Sequence, residues 1–173
     1  AIETSATTRR NDVSLAFSRE AWMRLERAFE RAIRDPSNDE ARADMLLGAH
    51  LAGCAIEHSM LGAAHACANP LTALFGIAHG IAVGIMLPHV VRFNGAGRAN
   101  AYEALGLASV TLADRVERFL KAAELPRRLR DVAVPENALA TLAEEAAQQW
   151  TATFNPTQVG ARELLAIYQA SWA

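Results

Sequence analysis

Aromatic residues make up only 6% of this chain, prolines number six and cysteines two. β-Branched residues are sparse as well, which argues against an extensive sheet. The abundance of alanine and leucine in their place favours an all-helical fold. Cys54 and Cys67 do not form a C-x-x-C pair, so neither a disulfide framework nor a redox dithiol is indicated, and buried free thiols in a reducing cytoplasm are expected. The net charge is −2 and the pI near 6.2. No global charge therefore points to nucleic acid or an anionic membrane as a partner. A Gly-rich phosphate loop, a secretory signal, repeats and low-complexity tracts are also missing. The 173 residues are expected to form one compact helical bundle spanning residues 1–173.

Charge is missing from one region in particular. Between Asp44 and Val91 the only formally charged side chains are Asp44 and Glu57. Residues 71–91, LTALFGIAHGIAVGIMLPHVV, are long enough to invite a membrane-spanning reading. Two histidines, a proline, three glycines and the lack of basic flanks on both sides speak against it. A helix that is apolar all round also suits the centre of a bundle.

Helix signals punctuate the rest. AIETSATT opens with helical residues and no capping signal, as the continuation of an element from upstream. Ser18 is a plausible N-cap for a helix to about Asp35, with Trp22, Leu25, Phe29 and Ile33 as its apolar stripe. Glu20–Arg24 and Glu30–Arg34 are spaced as i,i+4 pairs. Asn38 caps a longer helix expected to reach Ala68, just before Asn69-Pro70. On it Leu47, Leu51, Cys54, His58, Leu61 and His65 form one continuous stripe. Gly76 marks a turn, and a helix from Ala78 to Phe93 is expected to bend at Pro88. After a Gly95–Gly97 turn, shorter helices are expected near 98–106, 109–124, 136–151 and 160–171.

Two histidines carry the chemical question. A buried neutral imidazole is tolerated only when its ring nitrogens find partners. His65 and His79 could each bond a backbone carbonyl in the core. They could also converge, His65 from the last turn of one helix and His79 from the first turn of the next, on a divalent metal suited to imidazole. Two ligands fall short of the usual three or four, and no Asp or Glu has suitable spacing on the same stripe. His58 could reach the same cavity or serve as a core residue. His50 and His89 read as structural, and Arg127, Arg128 and Arg130 as a solvated turn or domain contact.

The segment G-A-A-H-A-x-A-N-P-L-T-x-x-F-G-I-x-H-G-x-A-x-x-I-M-L-P-H-V-V-R-F-N, residues 62–94, resembles the signature of the iron-containing (group III) alcohol dehydrogenases. The resemblance runs from AIE at the start to L-P-x-R-L-R-D, a later Asn-Pro and the closing E-L-L-x-I-Y, nearly the whole chain. It implies the dehydroquinate synthase-like C-terminal helical domain of a two-domain enzyme. It further implies that His65 and His79 are the last two metal ligands, the first two being an Asp and a His of a D-x-x-x-H segment that AIE commonly follows. The chain is accordingly expected to be a fragment, inactive alone, whose N-terminal Rossmann-like domain would bind NAD(P).

The implied reaction is alcohol–aldehyde interconversion by hydride transfer, in the cytoplasm, on a small alcohol or aldehyde. Its metal is Fe(II), with Zn(II) as a substitute, and a homo-oligomer is possible. Asn69 stands where many members carry a histidine assigned a proton-relay role, and His58 where relatives often have Asn. Both are therefore candidate catalytic positions. Thr72 replaces a usual Gly, and Ile56 and Thr151 correspond to pocket-lining positions. The competing readings are a stand-alone helical binding or scaffold domain with core histidines, and a metalloprotein that completes its site across a homo-oligomer interface.

Overall fold

The computed structural model describes all residues 1–173, and it contains helices and turns but no strand. Eight α-helices follow in order: α1 (Ile2–Ala6), α2 (Asp12–Arg34), α3 (Asp39–Glu57), α4 (Ala63–Phe75), α5 (His79–Gly97), α6 (Ser109–Ala122), α7 (Leu139–Ala147) and α8 (Ala161–Trp172). The expected all-α bundle is what forms, and no helix is long and apolar enough to cross a membrane.

Two apolar clusters share α5. One gathers Leu71, Ile85, Met86, Val90, Leu142, Leu164 and Tyr168 from α4, α5, α7 and α8. The other joins Ile2 of α1 and Trp22 of α2 to Val91 of α5 and to Leu112 and Phe119 of α6. A helix buried on both sides has no use for a polar face, which explains why charge vanishes from this part of the sequence. The charged helices lie outside it. Glu20–Arg24 pairs on α2 at 2.6 Å as its spacing predicts. Glu30 instead reaches Arg118 of α6 at 2.7 Å rather than Arg34, because a neighbouring helix offers the better-placed cation.

Several boundaries differ from those read locally. Helix α2 is capped by Asn11, whose side chain accepts from the amides of Val13 and Ser14 in a capping box. Ser18 is buried within that helix. Its hydroxyl lies 2.8 Å from both the Ser14 carbonyl and Thr4 Oγ1, tying α1 to α2. Helix α3 begins at Asn38 as predicted, with Asn38 Oδ1 accepting from Ala41 N–H at 2.9 Å, but it ends at Glu57 with His58 as C-cap. The expected stripe through Leu61 and His65 is therefore cut.

Pro70, expected to end a helix, lies inside α4, and Pro88 lies inside α5. Burial of Leu71, Cys67 and Ala68 on α4 offsets the local cost of about 3 kcal/mol for an interior proline. Gly76 does end α4, in the left-handed conformation with φ 64°. Gly95 and Gly97 do not turn the chain; they belong to the last turn of α5. A Cβ at Gly95 would lie 2.3 Å from Ser109 Cβ, and one at Gly97 would lie 2.6 Å from Thr157 Cγ2. The expected 98–106 helix reduces to a single 3-10 turn at Glu103–Leu105, and the expected 136–151 helix divides into 3-10 turns flanking α7.

Candidate metal centre

Helix α4 has no cap of its own. Its N-cap is Gly62, and the amides of Ala63 and Ala64 are satisfied by side chains from distant segments. Ala63 N–H donates to Asn155 Oδ1 at 3.2 Å, and Ala64 N–H to Glu3 Oε1 at 2.7 Å. Asn155 is itself fixed, since its Nδ2 donates to Asn94 Oδ1 at 2.6 Å and to the Thr157 carbonyl at 2.7 Å. A Cβ at residue 62 would stand 3.0 Å from both capping oxygens, so a larger side chain there must displace them.

This start of α4 positions His65. The expected placement in the last turn of a helix is corrected: His65 sits in the first turn of α4, and His79 opens α5. The two rings nevertheless converge, with centroids 5.4 Å apart and planes tilted by 52°. His65 Nδ1 hydrogen-bonds Glu3 Oε2. His79 Nδ1 lies 3.4 Å from Thr72 Oγ1. On both rings the engaged nitrogen is Nδ1, so Nε2 is the free one. His79 is exposed and His65 half-buried. A cavity of about 320 Å³ opens beside His65 and Glu3, walled by Ile2, Trp22, Leu25 and Ile56.

The other four predicted site residues fall in four places. Ile56 lines that cavity. Asn69 follows His65 by one turn on α4, so His65, Asn69 and Thr72 share a face; its Nδ2 donates to Gln149 Oε1 at 2.9 Å. Thr151 is buried in the 3-10 turn Trp150–Phe154, away from the residues that wall the cavity, with its hydroxyl unpartnered. His58 leaves the group altogether. With α3 ended at Glu57, its ring stacks on Phe17 at 5.7 Å and lines a separate polar pocket with Arg9, Arg10 and Glu57.

Sequence reasoning missed Glu3, which is 7% exposed. Its only signal was an acid in the AIE triplet, since nothing local reveals a partner 62 residues away. No cluster of three or more His, Cys, Asp or Glu residues is arranged to hold a metal ion. The imidazole pair is the whole of the donor set that these residues supply.

Comparison with known proteins decides what this arrangement belongs to. Residues 1–172 match the C-terminal part of the Fe-containing alcohol dehydrogenase family. The chain belongs to that family. Among its relatives, the 1,3-propanediol dehydrogenase of Klebsiella pneumoniae is 29% identical over 185 residues, covering 99% of this chain and 48% of that protein. Long-chain-alcohol dehydrogenase 1 of Geobacillus thermodenitrificans is 30% identical, covering 86% of this chain and 41% of that protein. The crystal structure of a 1,3-propanediol oxidoreductase superimposes with a TM-score of 0.89 at 29% identity, over 99% of this chain and 48% of that one. The chain thus spans less than half the length of these relatives. The family match bears out the resemblance read from residues 62–94.

Proposed function

We propose that this chain forms the metal- and substrate-binding half of an NAD(P)-linked alcohol dehydrogenase. The observation that carries the reading is the convergence of His65 and His79, with Nε2 free on each ring, beside an apolar cavity. Two imidazoles suit a borderline divalent cation such as iron(II) or zinc(II), which needs one or two further ligands from outside the pair. When bound, such an ion supplies Lewis-acid polarisation of an alcohol or carbonyl oxygen.

The chain's own residues set up the rest. Ile2, Trp22, Leu25 and Ile56 give the cavity an apolar wall that favours an aliphatic substrate. Asn69, steadied by Gln149 on the His65 face of α4, would orient a substrate oxygen. An amide does not titrate near neutral pH, so Asn69 positions rather than relays protons. His58, stacked on Phe17 in a different pocket, offers no direct relay to this cavity. Binding of the nicotinamide nucleotide falls to a Rossmann-like domain that pairs with this one, and the cleft between the two encloses the reaction.

The test is His65→Ala and His79→Ala in the enzyme that carries both halves. Each substitution is expected to abolish metal retention, measured by elemental analysis, and alcohol oxidation with it, while leaving dinucleotide affinity unchanged. Full metal content after either change would refute the assignment of that histidine as a ligand.

A further inference from the structure

The Glu3 carboxylate is the buried acid that touches the histidine pair, and both of its oxygens act as acceptors. Oε1 takes the Ala64 N–H at 2.7 Å, and Oε2 takes the proton on His65 Nδ1. Its side chain is 6% exposed, so water does not compete for either bond. Gly62 packs against Oε1 and Asn155 closes the other side of the cap, so the carboxylate has little room to swing.

A neutral imidazole carries one N–H and one lone pair, and a carboxylate can only accept. Its contact with Nδ1 therefore keeps the proton there and leaves the Nε2 lone pair bare, the state a metal ligand requires. We infer that Glu3 is the positioning residue for His65: it fixes the ring's tautomer and orientation, and through its other oxygen anchors the helix turn that carries the ring. The inference rests on the reading of His65 as a metal ligand and adds a residue 62 positions upstream to the site.

The isosteric amide exposes the difference between this role and simple packing. Glu3→Gln keeps size and shape but has one acceptor oxygen where two are needed. If that oxygen keeps the Ala64 amide, its NH2 group must donate to His65 Nδ1. The ring proton then moves to Nε2, where it blocks coordination. A merely structural contact would not select a tautomer.

The experiment uses the enzyme that carries both halves, labelled with 15N-histidine and freed of metal, at mildly alkaline pH. Long-range 1H–15N correlation reads the His65 tautomer, and zinc(II) titration of the same samples reads affinity. The expected result is Nδ1–H in the wild type and Nε2–H in Glu3→Gln, with zinc(II) affinity lowered about tenfold or more. A wild-type His65 carrying its proton on Nε2 would overturn the inference without recourse to any variant. So would a Glu3→Gln protein with the proton still on Nδ1 and undiminished affinity. Failure of the wild type to take up zinc(II) at His65 would instead reject the metal reading itself, because the tautomer is measured without metal.

Discussion

Gly62→Ala probes the start of α4 directly, because three segments meet at residue 62. The added Cβ would stand 3.0 Å from Glu3 Oε1 and 3.0 Å from Asn155 Oδ1. Neither oxygen can retreat cheaply. Asn155 is pinned through Nδ2 by Asn94 and Thr157, and Glu3 by the Ala64 amide and His65. One or both of the capping bonds to Ala63 and Ala64 must lengthen or break. Loss of a helix N-cap bond costs about 0.5–2 kcal/mol. Disturbing two such bonds gives an expected destabilisation of about 2 kcal/mol, or a Tm lower by about 4–8 °C in a domain of this size.

Urea unfolding followed by circular dichroism measures the free energy, and hydrogen exchange at the Ala63 and Ala64 amides shows whether the cap is the part that fails. Gly53→Ala provides a control of opposite sign, since a Cβ at Gly53 meets nothing within 4 Å. Within α3 that change is expected to stabilise by about 0.5–1 kcal/mol. A Gly62→Ala protein within about 0.3 kcal/mol of wild type, with both amides as protected as before, would refute the claim that distant side chains hold the start of α4.

Two further outcomes follow from buried groups. Burial pushes the Cys67 thiol far up, only partly countered by its contact with Tyr168, whereas Cys54 is half-exposed beside His50. An alkylating reagent at mildly alkaline pH is therefore expected to modify Cys54 and spare Cys67 in the folded chain, which peptide mass mapping checks; equal labelling of both would contradict the buried placement. Burial, and then the Arg92 charge, hold His89 below its ordinary value of 6.5. The unfolded chain thus takes up a proton near pH 6.5 that the folded chain resists, so this group erodes stability as the pH falls below 6.5. His89→Gln is expected to flatten the acid side of the stability profile between about pH 6.5 and 5 in denaturation series. An unchanged profile would place the titration elsewhere.

Much of this protein is written in short-range pattern. The scarcity of aromatic and β-branched residues excluded a sheet, and the uncharged run from 58 to 91 marked α4 and α5, which carry much of the core. Asn38 began its helix and Gly76 turned the chain where their chemistry predicted. The motif of residues 62–94 pointed to the family that residues 1–172 match. These features are local, since helix caps and periodic stripes depend on residues within a turn or two of each other.

Tertiary structure decided the rest. A stripe from Leu47 to His65 looks continuous, but α3 ends at Glu57 and a new helix starts after Gly62, which sits between Glu3 and Asn155. Pro70 reads as a terminator until Leu71 and Cys67 are seen buried around it, and Ser18 reads as a cap until its hydroxyl meets Thr4. The carboxylate behind His65 and the amide that caps its helix lie 62 and 92 residues from their partners. Separations of that size leave no periodic trace in the chain, because the groups become neighbours only after the helices have packed.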